Sequence, residues 1–551
     1  MDDEIEKIIE LAGNQNKYQI QVLGITFMIW MCVDLIPISL AYLEKMPLVE
    51  YVGPNGNKIQ TLLTYEICND YANSYTIVEP NGHSWVSEFN IECDNVKTGL
   101  IGTSSYVGVF IGAISTKFII DTIGRKKSIY ISCVLISLCF LLFFMPIRSI
   151  YFIYVCLIIT QFFCFIASST SYISCIEVVS IKYRSIAGAF INFAYCICGI
   201  LHIILYKYLQ SWRINFLLAS AITLTSSLMA VKFTRESARF YLIKNNPKRF
   251  IDNLHKISVN NGLENRFERY VVNKYYDENE KNLDEKRKRV NTFSSASDMK
   301  SEALNFQKED VNINDINFDE IIIKLKNNSK LREKNEGKTQ VNKYNFFSLI
   351  KYKSQRYTFI IMNIIWFVVA ALYYGLSLNL KNLPGDMYVT GIFLYGVEGI
   401  SYLISGNLIN IHWFGRKKSM IIFLSISLII YTLLDSLELE NSYIIIIFAL
   451  LSRLTIAVVF NIIYTYSAEV YPSVVKSFGF NINNMCSRLS GIFIPLLIEI
   501  FSKKIINYLF LSLNCLILIL TFFLKETYGR PLTVMIPEED IPNIQTKNEA
   551  F

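Results

Sequence analysis

The chain has 551 residues, of which 52% are hydrophobic and 18% charged, and a formal net charge of +7. A soluble protein carries about a quarter charged residues, so the composition excludes an ordinary soluble enzyme and points to a polytopic membrane protein. Its lysines and arginines gather in short segments between apolar runs. That matches cytoplasmic membrane loops better than a nucleic-acid surface, and makes membrane lipid the expected counter-charge.

Residues 1–17 begin acidic and polar (MDDEIEKIIE) with no signal-peptide pattern, so this segment is expected in the cytoplasm. About 20 apolar residues cross a hydrocarbon core of about 30 Å. Six runs qualify in the first part of the chain: roughly 18–40, 98–120, 128–147, 151–173, 185–206 and 214–231. Between the first two lies an extracellular loop, 41–97, holding Cys68 and Cys93, which lie outside the apolar runs that contain the other ten cysteines. On the oxidising side these two form a disulfide or stay free thiols, and the disulfide is the expected form.

The stretch 244–344, rich in Asn, Lys, Glu, Asp and Ser, is too polar to bury a core and reads as a largely disordered cytoplasmic loop. Six more runs follow, roughly 358–378, 389–411, 420–434, 443–464, 478–500 and 505–524, before a cytoplasmic tail at 533–551. The expected fold is all-α: 12 transmembrane helices in two six-helix halves, 18–243 and 345–532, in a plasma membrane or an endomembrane.

An internal repeat ties the halves together. "DTIGRKKS" (Asp121 to Ser128) recurs as "HWFGRKKS" (His412 to Ser419), with Gly124 and Gly415 291 positions apart. "EVVSIKYR" from Glu177 recurs as "EVYPSVVK" from Glu469 after 292 positions, and "RES" at Arg235 as "KET" at Lys525 after 290. Three motifs in register record a parallel duplication. The sequence has no Walker loop, zinc-ligand pair or nucleophile elbow, so no catalytic residue, metal or cofactor is expected and the protein is read as no enzyme.

An ionisable side chain at mid-span costs about 2.5–3.5 kcal/mol on insertion scales, so each needs a partner or a polar cavity. The candidates are Asp34, Lys117, Glu398, Arg453, Arg488 and Glu499. Asp34 is an orphan carboxylate suited to a coupling proton or sodium ion, or to a pair with Lys117. Trp366, Tyr373 and Tyr374 lie seven or eight residues apart, two helical turns, and could line a cavity that holds a quaternary ammonium by cation–π attraction, or simply pack.

The loop "DTIGRKKS" resembles the loop between helices two and three of the major facilitator superfamily, whose architecture is two parallel halves. "EFNIECDN" (Glu88 to Asn95), "KYRSIAG" (Lys182 to Gly188), "ESARFYL" (Glu236 to Leu242), "YYGLSLNLKNLPGD" (Tyr373 to Asp386) and "YTYSAEVYPSVVK" (Tyr464 to Lys476) are similar to the animal-type organic cation, anion and carnitine transporters. "VEGISY" (Val397 to Tyr402) and "SRLSG" (Ser487 to Gly491) are most similar to the carnitine and organic zwitterion branch. The resemblance covers about 18–532 apart from much of 244–344. It departs from the family pattern at Lys117, where the motif usually has glycine, at Thr122 for arginine, at Ala238 for proline, and at His412 for aspartate.

The resemblance implies an alternating-access transporter of small organic ions, preferring a carnitine-like zwitterion or an organic cation. It places Arg488 in the central cavity, where arginine suits a carboxylate, and Glu398 where it faces a cationic group, unless the two only neutralise each other. It also implies charged latches at cytoplasmic helix ends: Asp121, Gly124, Arg125, Glu177, Arg184, Glu236 and Arg239 in the first half, and His412, Arg416, Glu469, Lys476 and Glu526 in the second. The alternatives are an organic anion carrier, a sugar or neutral-solute carrier of the same fold, and a non-transporting receptor. The seventh run, "TFIIMNIIWFVVAALYYGLSL", has none of the glutamines a sugar site would use, and a receptor would be expected to have lost the latch charges in both halves.

Overall fold

Residues 2–52, 57–63, 67–68, 75–78, 84–145, 149–209, 211–244, 246–270, 346–408, 411, 414–436, 441–472 and 475–528 are described by the computed structural model. After α1 (Asp2–Ala12), the first span is built from two helices, α2 (Lys17–Val33) and α3 (Leu35–Leu43), broken at Asp34. The break has a local cause. Pro37 offers no N–H, and its ring crowds the carbonyl of the residue four positions back, Val33, where α2 stops.

The stretch expected as a loop, 41–97, contains a small antiparallel sheet. Its strands are β1 (Leu48–Val52), β2 (Lys58–Leu62) and β3 (Tyr75–Ile77), in spatial order β2-β1-β3, with Glu50 opposite both Gln60 and Thr76. Cys68 is bonded to Cys93, Cα to Cα 5.7 Å. A short α4 (Trp85–Glu88) leads to α5 (Asn95–Ile123), whose N-terminus is capped by Asp94, its carboxylate accepting from the Lys97 amide at 3.0 Å. Hydrogen bonds from Lys97 to the same carboxylate hold Asp94 below the usual aspartate range.

α6 (Arg125–Leu142), α7 (Ile150–Val178), α8 (Ile181–Leu209) and α9 (Trp212–Phe233) complete the first half. α10 (Ala238–Ile243) and α11 (Pro247–Asn260) then lie at the end that carries the Arg-Lys-Lys loops, here called the basic end. Residues 244–270 were expected to begin a disordered loop, but α11 packs against α1, with Phe250, Leu254 and Ile257 buried beside Ile9 and Ala12. Those three apolar positions, spaced i, i+4, i+7, are one helical face inside an otherwise polar stretch. The rest of that stretch, from residue 271, and the 533–551 tail lie outside the described residues.

The second half repeats the plan with α12 (Phe346–Lys351), α13 (Lys353–Leu378), α14 (Met387–Leu408), α15 (Gly415–Ser436), α16 (Ser442–Val470), α17 (Lys476–Ile500) and α18 (Lys503–Phe522). Among the described residues nine helical segments are long and apolar enough to cross a membrane. The other three spans are α6, α15 and α17. α6 opens on Arg-Lys-Lys and α15 on Gly-Arg-Lys-Lys, and α17 carries Arg488 among asparagines and serines. Each has the place in its half that the duplication assigns, which completes twelve spans in two groups of six.

The halves meet along α5 against α17 and α8 against α14. Missing side chains let the first pair approach closely: a Cβ on Gly102 would stand 2.6 Å from Pro495 Cβ, and one on Gly99 2.9 Å from Leu496 Cα. These contacts lie toward the end that carries the strands, the sheet end.

Candidate functional site

Between the halves lies a cavity of about 1440 Å³, lined by Asp34, Tyr106, Tyr373, Tyr374, Phe460 and Arg488 at depth and by Lys117, Asp121, Arg125, Arg184 and Arg416 toward the basic end. Asp34 reaches it because the helix breaks there. Its Oδ2 is buried with no hydrogen-bond partner among the described residues, and Arg488 is the first charge that bears on it. No ion pair joins Asp34 to Lys117 among the described residues; the lysine lies over the Phe478 ring at 5.7 Å.

Arg488 projects from the middle of α17 and donates to the Tyr374 hydroxyl at 2.7 Å. Tyr374 in turn lies 4.8 Å from the Tyr106 ring of the other half, centroid to centroid, and Tyr373 stacks on Phe460 at 4.9 Å. The cavity thus offers a guanidinium from one half, a carboxylate from the other and aromatic faces between them. An anionic group can bind the first, a cationic group the second and the rings.

Two expected lining residues are not at the cavity wall. Trp366 is wholly buried, donates from Nε1 to Ser467 Oγ at 2.8 Å, and packs on Phe460, Tyr464 and Phe480 behind the surface. Glu398 is also fully buried and is paired with Arg453, not Arg488: Arg453 Nη2 lies 2.7 Å from Glu398 Oε2. Arg453 also donates to the Tyr373 carbonyl at 2.7 Å and to Ser377 Oγ at 2.8 Å, and covers the Tyr373 ring at 3.6 Å. The hydroxyls of Tyr373 and Tyr402 both donate to Glu398 Oε1. Glu398 therefore supports the cavity wall from behind through Tyr373. Arg453 was visible as an intramembrane charge, but its partner depended on helix rotation that sequence does not record.

At the basic end the duplicated motifs build the same fastening twice. Gly124 has φ +98° and a Cβ there would meet Glu236 Oε2 at 2.4 Å; Gly415 has φ +62° and would meet Glu526 at 2.9 Å. A left-handed backbone and a close carboxylate both require glycine. Glu236 accepts from the Arg125 amide at 2.6 Å and from the Lys126 amide at 3.2 Å, while Glu526 accepts from the Arg416 amide at 2.9 Å and the Lys417 amide at 3.0 Å. Each carboxylate thereby caps the positive N-terminus of a helix. Arg125 reaches Glu177 at 3.3 Å and Asp121 at 3.8 Å; Arg416 reaches Glu469 at 2.8 Å.

Two copies of one fastening are held differently. Burial pushes the Glu236 carboxyl above the ordinary glutamate range despite its amide bonds. Burial also acts upward on Glu526, but amides from Tyr528, Arg416, Lys418 and Thr527 outweigh it and hold that carboxyl low. Arg184 donates from Nε to the Ile176 and Val179 carbonyls. Arg239 is the second residue of α10, and Lys476 opens α17 with no ion pair among the described residues. His412 lies outside the described residues.

At the sheet end Lys381, in the 3₁₀ turn Asn379–Asn382 after α13, lies 3.1 Å from Glu44 and also bonds Glu499. Lys207 pairs with Asp386 at 2.8 Å, and this bond from Lys207 keeps the Asp386 carboxyl below its usual range. Glu44 and Lys381 sit in segments that read as loop edges, where a charge attracts no notice.

The "Sugar (and other) transporter" family model matches residues 57–305 and 295–537. The chain is 30% identical over 208 residues to the mouse "Organic cation/carnitine transporter 2", covering 37% of this chain and 36% of that protein's length. To the Caenorhabditis elegans "Organic cation transporter 1" it is 24% identical over 493 residues, 87% of this chain and 72% of the other. The fold is that of the inward-open xylose transporter XylE from E. coli, with a TM-score of 0.56 at 14% identity over 96% of this chain and 98% of that one. With its duplicated halves, central cavity and twice-written basic fastening, the chain belongs to the sugar (and other) transporter family.

Proposed function

We propose that the protein carries small organic ions bearing a carboxylate, with a carnitine-like zwitterion as the preferred substrate, by alternating access to the central cavity. The observation that carries this reading is that Arg488 and Asp34, from different halves, line one aromatic-walled cavity. Arg488 takes the carboxylate, and Asp34 with the rings of Tyr106 and Tyr374 takes the ammonium. The name of the mouse relative, an organic cation and carnitine transporter, agrees with that chemistry. The basic end is assigned to the cytoplasm by its lysines and arginines, and the disulfide-bearing sheet end to the opposite face. The membrane is a plasma membrane or an endomembrane.

Asp34 also serves as the site of a coupling proton or sodium ion. The Arg125–Glu177 and Arg416–Glu469 pairs act in switching between access states. A second reading, an organic anion carrier, is favoured by the further cations Lys117 and Arg184 along the cavity wall.

Uptake of labelled cations, anions and zwitterions into liposomes holding the purified protein tests both readings. Arg488→Asp is expected to lose zwitterion uptake at least tenfold and keep or gain uptake of simple organic cations, because charge reversal in the cavity turns attraction for a carboxylate into repulsion. Normal zwitterion uptake by a well-folded Arg488→Asp protein defeats the assignment. Uptake of simple anions alone favours the second reading.

A further inference from the structure

The seal between the halves at the sheet end contains a charge imbalance. Glu44 follows α3 in the first half, whereas Lys381 and Glu499 belong to the second. All three side chains are at most 6% exposed, and Lys381 bonds both carboxylates. Among the described residues one ammonium serves two carboxylates here, which leaves a surplus negative charge away from water, an unfavourable arrangement unless a further cation joins it.

The surplus has a location. Glu44 Oε2 faces Lys381, but Glu44 Oε1 is buried with no hydrogen-bond partner among the described residues. It points to the backbone of α5 at Gly102, whose amide bears on Glu44 and where a Cβ would lie 3.1 Å from the oxygen. Among the described residues Glu44 also acts on Tyr106 of α5 and Tyr154 of α7, phenols that are uncharged across the physiological range. The neighbouring cross-half pair, Lys207 with Asp386, is balanced one to one and partly exposed.

We propose that the Glu44–Lys381–Glu499 cluster is a proton-binding lock at the sheet end: the closed seal takes up one proton on its surplus carboxylate and releases it when the halves part there. The proposal rests on the alternating-access reading but not on any choice of substrate. Parting the halves leaves Lys381 and Glu499 as a neutral pair and returns Glu44 to water as an ordinary glutamate. The proton therefore binds the closed seal more tightly than the open one, and by linkage acid must favour the closed seal.

The test uses the full chain in lipid nanodiscs with a donor–acceptor dye pair introduced at positions 208 and 443. These residues lie at the sheet end of α8 and α16, one in each half, and both are 79% exposed. Acidification is expected to bring the dyes closer, the closed-to-open ratio rising by up to about tenfold per pH unit for one linked proton. Glu499→Gln leaves one acid for one base and should stay closed with no pH response. Glu44→Gln breaks the cross-half pair and should stay more open, also without a pH response, while Glu499→Asp restores both charges and the response. A Glu499→Gln protein that responds like the wild type overturns the proton site. An unchanged dye distance in Glu44→Gln overturns the lock. Because no solute enters the measurement, a failed uptake assay with an intact pH response would fault the carrier reading alone.

Discussion

Glu398 and Arg453 are fully withdrawn from solvent, so neither can lose its partner cheaply. Glu398→Gln should leave the guanidinium buried and uncompensated at a cost of about 3–5 kcal/mol, seen as lost folded yield and uptake of every solute, not of ammonium compounds alone. A Glu398→Gln/Arg453→Met double variant should fold better than the single one, since the stranded charge is gone; thermal melting in detergent measures both. At this scale the sequence disclosed which spans held charges but not their partners, because a pair is set by two helix rotations and two depths at once. Trp366 shows the same limit. Seven residues fall about 20° short of two full turns, and Ser467 at 2.8 Å draws the indole toward α16 and away from the cavity.

The helices themselves follow from local rules, and α6 and α15, each capped by a glutamate distant in sequence, make a contrast that can be measured. Glu236 is pushed up by burial, so it takes a proton above the ordinary glutamate range; its ionised form costs the fold stability, and acid relieves that cost while removing the charge from the α6 cap. Glu526 is held low, so its charge stabilises α15 above the ordinary range and is lost only as pH falls through a value below it. Hydrogen exchange at falling pH, corrected for intrinsic rates, should therefore expose the Arg125 and Lys126 amides before those of Arg416 and Lys417. Simultaneous exposure would mean that the caps are equivalent. The glycine and glutamate of each cap were legible as duplicated letters, and the left-handed glycine turn explains why both copies keep them. The packed helix over Pro247–Asn260 was not legible from composition, because three apolar residues on one face are diluted by the polar residues on the other.

At the scale of the whole molecule the repeat offset near 291 settled the architecture before any contact was known, since two in-register copies of six spans leave few ways to fold. What it could not reveal is where the copies touch: the glycines of α5 that admit Pro495 and Leu496 look like any helical glycines until a neighbour arrives. The basic-end fastenings described above, Glu236 on α6 with Arg125 on Glu177, and Glu526 on α15 with Arg416 on Glu469, all close within one half. A cut anywhere between residues 271 and 345 therefore severs none of them. Co-expressed as separate polypeptides, 1–270 and 346–551 should find each other through α5 against α17 and α8 against α14 and recover uptake, whereas either piece alone should not. Two inserted fragments that never assemble would contradict this. If they do assemble, the peptide link between the halves is a device of stoichiometry, guaranteeing one of each per molecule, and not a source of strength.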